Sequence, residues 1–113
     1  MVKKTKPLVP DTTEKSDEIF ARTAAMFRVM SAPMRLRIIS ALCKGEKNVG
    51  ELLDLVPTTQ PNMSQHLSLM HRAGLLGKRR EGVQIYYFVA NEKMVSLCRA
   101  FCDEIRDDSL TSA

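Results

Sequence analysis

The stretch Thr58–Gly74, TTQPNMSQHLSLMHRAG, constrains this 113-residue chain more than any other. It carries a helix start, a helix stop and two faces of different chemistry. Thr58 or Thr59 can cap the N-terminus, and Pro61 falls in the first turn, where a missing N–H costs little. Gly74 is a stop signal, with Leu75 placed for the hydrophobic contact of a Schellman ending. Met63, Leu67 and Met70 recur at the spacing of one buried stripe. The opposite side carries Gln60, Ser64, Gln65, Ser68 and Arg72, and the stretch has no acidic residue. A helix that only meets water usually mixes Glu with Lys. A face of neutral donors and acceptors near a helix N-terminus suits base edges in a DNA major groove.

Composition is compatible with such a partner. The formal charge is +4 and the isoelectric point about 9.2, which fits a polyanion without requiring one. The length suits one domain whose small core gains from dimerisation. No apolar run approaches the ~20 residues of a membrane span. The segment MVKKTKPLVPDTT lacks an apolar signal region, and the chain has three cysteines, an odd number. Together these predict a reducing, cytoplasmic setting.

The other elements follow from pattern. Residues 1–13 have little to bury and are expected to be a flexible arm preceding a domain over residues 14–107. A first helix is expected from Glu14 to Met30, with Ile19, Thr23, Met26, Phe27 and Met30 along its apolar stripe. A second is expected from Pro33 to Lys44, with Leu36, Ile39 and Cys43 on one face and Arg35 and Arg37 outward. Those arginines suit solubility and phosphate contact equally well. Asn48 can cap a short helix over Val49–Leu55, which with the Thr58–Gly74 helix forms a helix-turn-helix unit.

The period then shortens to two. Leu75–Arg80 and Val83–Val89 read as strands joined by a turn at Glu81-Gly82. Lys78, Arg79, Arg80 and Gln84 gather near the hairpin tip. Such a charge run is often just a solvated face, but next to the polar helix it favours phosphate or minor-groove contact. A last helix is expected from Glu92 to Arg106, capped by Asn91, with Met94, Leu97, Cys98, Phe101 and Ile105 on one face. Residues 108–113 read as a frayed tail.

The segments SAPMRLRIISAL, VGELLD, TTQPNMSQHLSLMHRAGLL and KRREGVQIYYFV, in this order between Ser31 and Val89, resemble the winged helix-turn-helix of the ArsR/SmtB family of bacterial transcriptional repressors. The resemblance covers about half the chain. It implies a mainly α fold of five helices with a two-stranded wing, and a homodimer built through the first and last helices. It also implies sequence-specific repression at a palindromic operator in double-stranded DNA. A thiol enzyme is not expected, because the cysteines fall on apolar faces far in sequence from His66 and His71 and form no Cys-x-x-Cys motif. By position, Gln60, Ser64 and Gln65 would face bases and Thr59 a phosphate. His66, beside Met63 and Leu67, suits helix packing better than DNA contact. Pro61 stands where the family often has a small polar residue, so one usual contact is missing.

Family members are released from DNA by ligands. The third-helix thiol motif of the metal sensors is absent here, and the last helix lacks histidine, so no cofactor and no zinc or nickel site of the usual kind is expected. Cys43, Cys98 and Cys102 remain. Cys98 and Cys102 are spaced i, i+4 and can converge. One reading is a redox pair formed by Cys43 and a last-helix cysteine, responsive to an oxidant or reactive sulfur as small inducer. A sulfur-sensing branch of the family has one thiol in each of these helices, although its first falls about where Ser40 stands. A second reading is a three-thiolate site for arsenite or another soft ion. A third is that the cysteines only pack as small apolar groups. An interaction module without DNA binding would instead place acidic or apolar residues on the exposed face of the Thr58–Gly74 helix.

Overall fold

The structure, a computed structural model, describes residues 3–9 and 14–111. Its elements are α1 (Glu14–Met30), α2 (Pro33–Leu42), β1 (Lys47–Asn48), α3 (Val49–Leu55), α4 (Gln60–Arg72), β2 (Leu76–Glu81), β3 (Gln84–Val89) and α5 (Glu92–Thr111). This is a winged helix-turn-helix: five helices with a small antiparallel sheet. Residues 3–9 form no helix or strand. The rest of the arm expected over residues 1–13, and residues 112 and 113, lie outside the described residues. Among the described residues no helix is long and apolar enough to cross a membrane.

The core is centred on α4. Met63, Leu67 and Met70 are all 0% exposed and pack with Ile38 of α2 and Leu52 of α3, also 0% exposed. Local chemistry sets where each helix begins. The Asn48 side chain accepts from the Glu51 N–H at 2.8 Å, and the Glu51 carboxylate accepts from the Asn48 N–H at 3.0 Å, a complete capping box on α3. Thr59 Oγ1 accepts from the Asn62 N–H at 3.3 Å and caps α4. Asn91 Oδ1 accepts from the Met94 N–H at 3.0 Å at the start of α5.

The end of α4 is the Schellman motif expected from Gly74. The Leu75 N–H reaches the Met70 carbonyl at 3.0 Å and the Gly74 N–H reaches His71 at 3.0 Å. Gly74 has φ of 80°, a conformation that a Cβ would strain. The Leu75 carbonyl then accepts from Ala90 and Asn91, which ties the far end of the hairpin to the helix it follows.

The sheet differs from expectation in three respects. It has three strands, ordered β1-β3-β2, because Lys47 and Asn48 pair with Tyr87 and Tyr86 on the open edge of β3. Two residues are too few to show a period, so this strand left no mark in the sequence. The turn is Gly82-Val83 rather than Glu81-Gly82, since Glu81 pairs with Gln84. Gly82 takes φ of 61°, which suits the first position of a two-residue hairpin loop. Val83 therefore sits at the tip, 92% exposed, and the alternation begins at Gln84.

The helices also depart from expectation. α2 ends at Leu42, and Cys43 lies beyond it, exposed rather than core-facing. α5 continues to Thr111, five residues past the expected end, so the expected tail from Asp108 is largely helical. The α1 and α5 stripes are only partly covered by this chain: Met30 is 5% exposed, but Ile19 is 43% exposed, Phe27 50%, Leu97 49%, Phe101 62% and Ile105 54%.

Leu67 has no room to be replaced by a smaller side chain without leaving a void. Leu67→Ala is expected to lower unfolding free energy by about 2–5 kcal/mol in urea denaturation. A loss under about 1 kcal/mol would mean that the site collapses around the gap.

Candidate nucleic-acid interface

Burying Met63, Leu67 and Met70 turns Gln60, Ser64, Gln65, Ser68 and Arg72 outward, and all five are exposed. Arg72 Nε donates to the Ser68 carbonyl at 3.4 Å. The exposed Thr59 hydroxyl serves as the cap acceptor, and its own proton stays available to donate. Asn62 is turned away from this face. Its Nδ2 donates to Thr58 Oγ1 at 2.8 Å, so it braces the turn before the helix.

His66 and Arg35 form a packed contact beneath the face. Arg35 Nε donates to His66 Nδ1 at 3.2 Å, while its Nη1 reaches the carbonyls of Val29 at 3.0 Å and Arg28 at 3.4 Å. One guanidinium thus joins the end of α1, the start of α2 and the middle of α4. This corrects the expectation of an outward Arg35, which is half-buried. It agrees with a packing role for His66. Burial first, and the Arg35 charge second, hold the His66 pKa below its ordinary value of 6.5.

The cations of the wing divide between two environments. Lys78 and Arg80 are exposed. Arg79 is not a free cation: its Nε lies 3.0 and 2.9 Å from the two Glu46 oxygens, and its Nη2 also bonds Glu46. Its Nη1 donates to Glu81 at 3.0 Å, and the guanidinium lies 4.8 Å from the Tyr86 ring centroid. The Arg79 hydrogen bonds lower the Glu46 pKa, and those of Glu46 and Glu81 raise that of Arg79. Gln84 is exposed beside the turn. Sequence reasoning missed Glu46, because its partner is 33 residues away on a strand pairing that has no local signal.

The three cysteines are free thiols and line two separate clefts. Cys43 lies with Glu46, Glu92, Val95 and Arg99 in a cleft of about 240 Å³. Arg99 Nη2 approaches its sulfur at 3.5 Å. Cys98 and Cys102 border an apolar cleft of about 520 Å³ with Phe27, Met30 and Phe101. Burial, then the neighbouring Cys102, pushes the Cys98 thiol pKa up. Among the described residues no three His, Cys, Asp or Glu side chains are grouped to hold a metal ion. Within one chain the three thiols therefore do not assemble the expected three-thiolate site.

A capped, half-polar helix beside a β-hairpin defines the class, a winged helix-turn-helix regulator. Residues 32–78 match the family model for bacterial regulatory proteins of the arsR family. A biofilm growth-associated repressor of Xylella fastidiosa is 33% identical over 101 residues, covering 85% of this chain and 89% of that protein. A biofilm growth-associated repressor of Agrobacterium fabrum is 36% identical over 77 residues, 68% of this chain and 66%, just under two thirds, of that protein. The homodimeric winged helix-turn-helix DNA-binding domain of a Mycobacterium bovis protein shares the fold. Its TM-score is 0.75 at 23% identity, with 93% of this chain and 96% of that one covered. The chain belongs to the ArsR family, whose members are DNA-binding transcriptional regulators and not enzymes.

A depressed histidine pKa makes stability depend on pH. Between the folded and unfolded pKa values the unfolded state binds more protons. Stability is thus fully present above about pH 6.5 and falls as pH drops below it. Urea unfolding of the wild type is expected to weaken from about pH 7 to about pH 5, with a flatter profile for His66→Gln. Equal slopes would place the titrating group elsewhere.

Proposed function

We propose that this protein is a repressor that binds a palindromic DNA operator as a two-fold homodimer, setting two copies of α4 in successive major grooves. The observation that carries this reading is the outward face of α4: Gln60, Ser64 and Gln65 exposed, neutral and opposite a fully buried stripe. Gln can pair with adenine through N6 and N7. Thr59 and the wing residues Lys78, Arg80 and Gln84 supply backbone contacts. An interaction module without DNA binding is disfavoured, because this face offers neither carboxylates nor large apolar groups.

Dimerisation is supported by the exposed apolar side chains of α1 and α5, which a second copy would cover. The homodimeric state of the Mycobacterium bovis relative is in keeping with it. The Xylella fastidiosa and Agrobacterium fabrum relatives, both repressors, support repression, and a DNA partner is in keeping with a cytoplasmic setting. For induction we favour the thiols over a soft metal, since no three-ligand group is present among the described residues. Cys43 is one candidate, exposed, with the Arg99 guanidinium 3.5 Å from its sulfur. Modification of Cys43, Cys98 or Cys102 by an oxidant or reactive sulfur species would then release the operator.

Two measurements test this. On duplexes selected from a random library by the protein itself, Gln60→Ala and Gln65→Ala should each weaken binding about 5- to 150-fold, the worth of one bidentate base contact. Affinity for mixed-sequence DNA should stay unchanged, and equal losses on both would contradict the groove assignment. Cys43→Ser and Cys102→Ser should keep DNA binding but lose release by peroxide or polysulfide. Normal release from both variants would leave these two thiols without a sensing role.

A further inference from the structure

The three consecutive cations of β2 do not share one face of the sheet. Successive strand residues alternate, and residues paired directly across two strands share a face. Lys78 pairs with Tyr87 and Arg80 with Ile85, so both lie on the face that carries buried Tyr87. β2 also packs against α4. Arg79 pairs with Tyr86, and Asn48 of β1 pairs with Tyr86 from the other side, so these three make a row across the opposite face. Glu46, two residues before Asn48, falls on that face. The Arg79 guanidinium lies across the Tyr86 ring and reaches Glu46 from two strands away.

This arrangement has a consequence for DNA contact. Arg79 faces two carboxylates, Glu46 and Glu81. Lys78 and Arg80 have no hydrogen bond or ion pair from their side chains among the described residues. A single exposed ion pair contributes little, but a forked pair with a second carboxylate and an aromatic platform fixes the guanidinium well. A cation already matched by anions releases few counterions from a phosphate backbone.

We infer that Glu46 and Glu81 withhold Arg79 from DNA, so that the wing contacts phosphate through Lys78 and Arg80 alone. Glu46 is thus a positioning residue. It pins the outer face of the wing to β1 and removes one charge from sequence-independent binding, which favours discrimination of the operator over bulk DNA. The inference rests on the DNA-binding reading above and adds to it an acidic residue outside the recognition helix that limits non-specific affinity.

The test measures affinity of the full chain for a fluorescein-labelled mixed-sequence DNA duplex against salt concentration, with thermal melts verifying that each variant is folded. Arg80→Gln should reduce the slope of log affinity against log salt by about 0.9, and Arg79→Gln should leave it unchanged. Glu46→Gln with Glu81→Gln should steepen it by up to about 0.9, so that a fourfold rise in salt weakens binding by up to about 3.5-fold more than in the wild type. Adding Arg79→Gln to that pair should abolish the steepening, which separates the freed guanidinium from a general change in net charge. A loss of slope in Arg79→Gln matching that of Arg80→Gln would overturn the inference. So would equal steepening with and without Arg79. In either case duplex binding by the wild type would leave the repressor reading intact, whereas absence of binding to any duplex would remove both.

Discussion

The structure depends on the complete burial of one stripe of α4. Met63, Leu67 and Met70 lock the rotation of that helix against Ile38 and Leu52. At one hundred degrees per residue, burying this stripe leaves the orientation of Gln60, Ser64 and Gln65 no freedom. A polar face used to read DNA must be held rigidly, because base-edge hydrogen bonds are lost with small errors in angle. The Thr59 cap and the Schellman ending fix where the helix starts and stops, and the Leu75 carbonyl passes that rigidity to the base of the wing.

Charge in this protein is not simply available to a polyanion. Of the arginines near the proposed interface, Arg35 is used to join three helices through His66 and the end of α1. Arg79 is matched by Glu46 and Glu81. A net charge of +4 therefore overstates the cationic surface at the wing. What is left is a narrower set, Lys78 and Arg80, beside a helix face that is neutral from Gln60 to Ser68 and carries one cation, Arg72, at its end. That set favours specific over indiscriminate binding, since phosphate contacts carry no sequence information.

A single chain does not cover its own apolar surface. The stripes of α1 and α5 leave Phe27, Leu97, Phe101 and Ile105 about half exposed or more, in contact with clefts that another surface could fill. Small domains bury a limited fraction of their chain, and a second copy is the economical source of the rest. Cys98 and Cys102 lie within this surface, while Cys43 lies in a separate cleft beside Arg99 and Glu46. Any chemistry at Cys43 would thus occur next to the residue that anchors Arg79, whereas chemistry at the other two would occur where copies would meet.

Much of the molecule was legible as sequence. Period and caps gave five helices, the polar face of α4, the hairpin and the Schellman stop, because each arises from contacts within a few residues. The family followed from the same segments. What only the tertiary structure decided lies in partners distant along the chain. β1 exists because β3 has an open edge, and two residues have no period to betray it. Arg35 turned inward because its acceptors lie 6, 7 and 31 residues away. Arg79 lost its freedom to a carboxylate brought alongside by that same short strand. Local periodicity fixes which face of an element is apolar; the partner a charged side chain finds is set by the packing of whole elements, and no stretch of the chain encodes it alone.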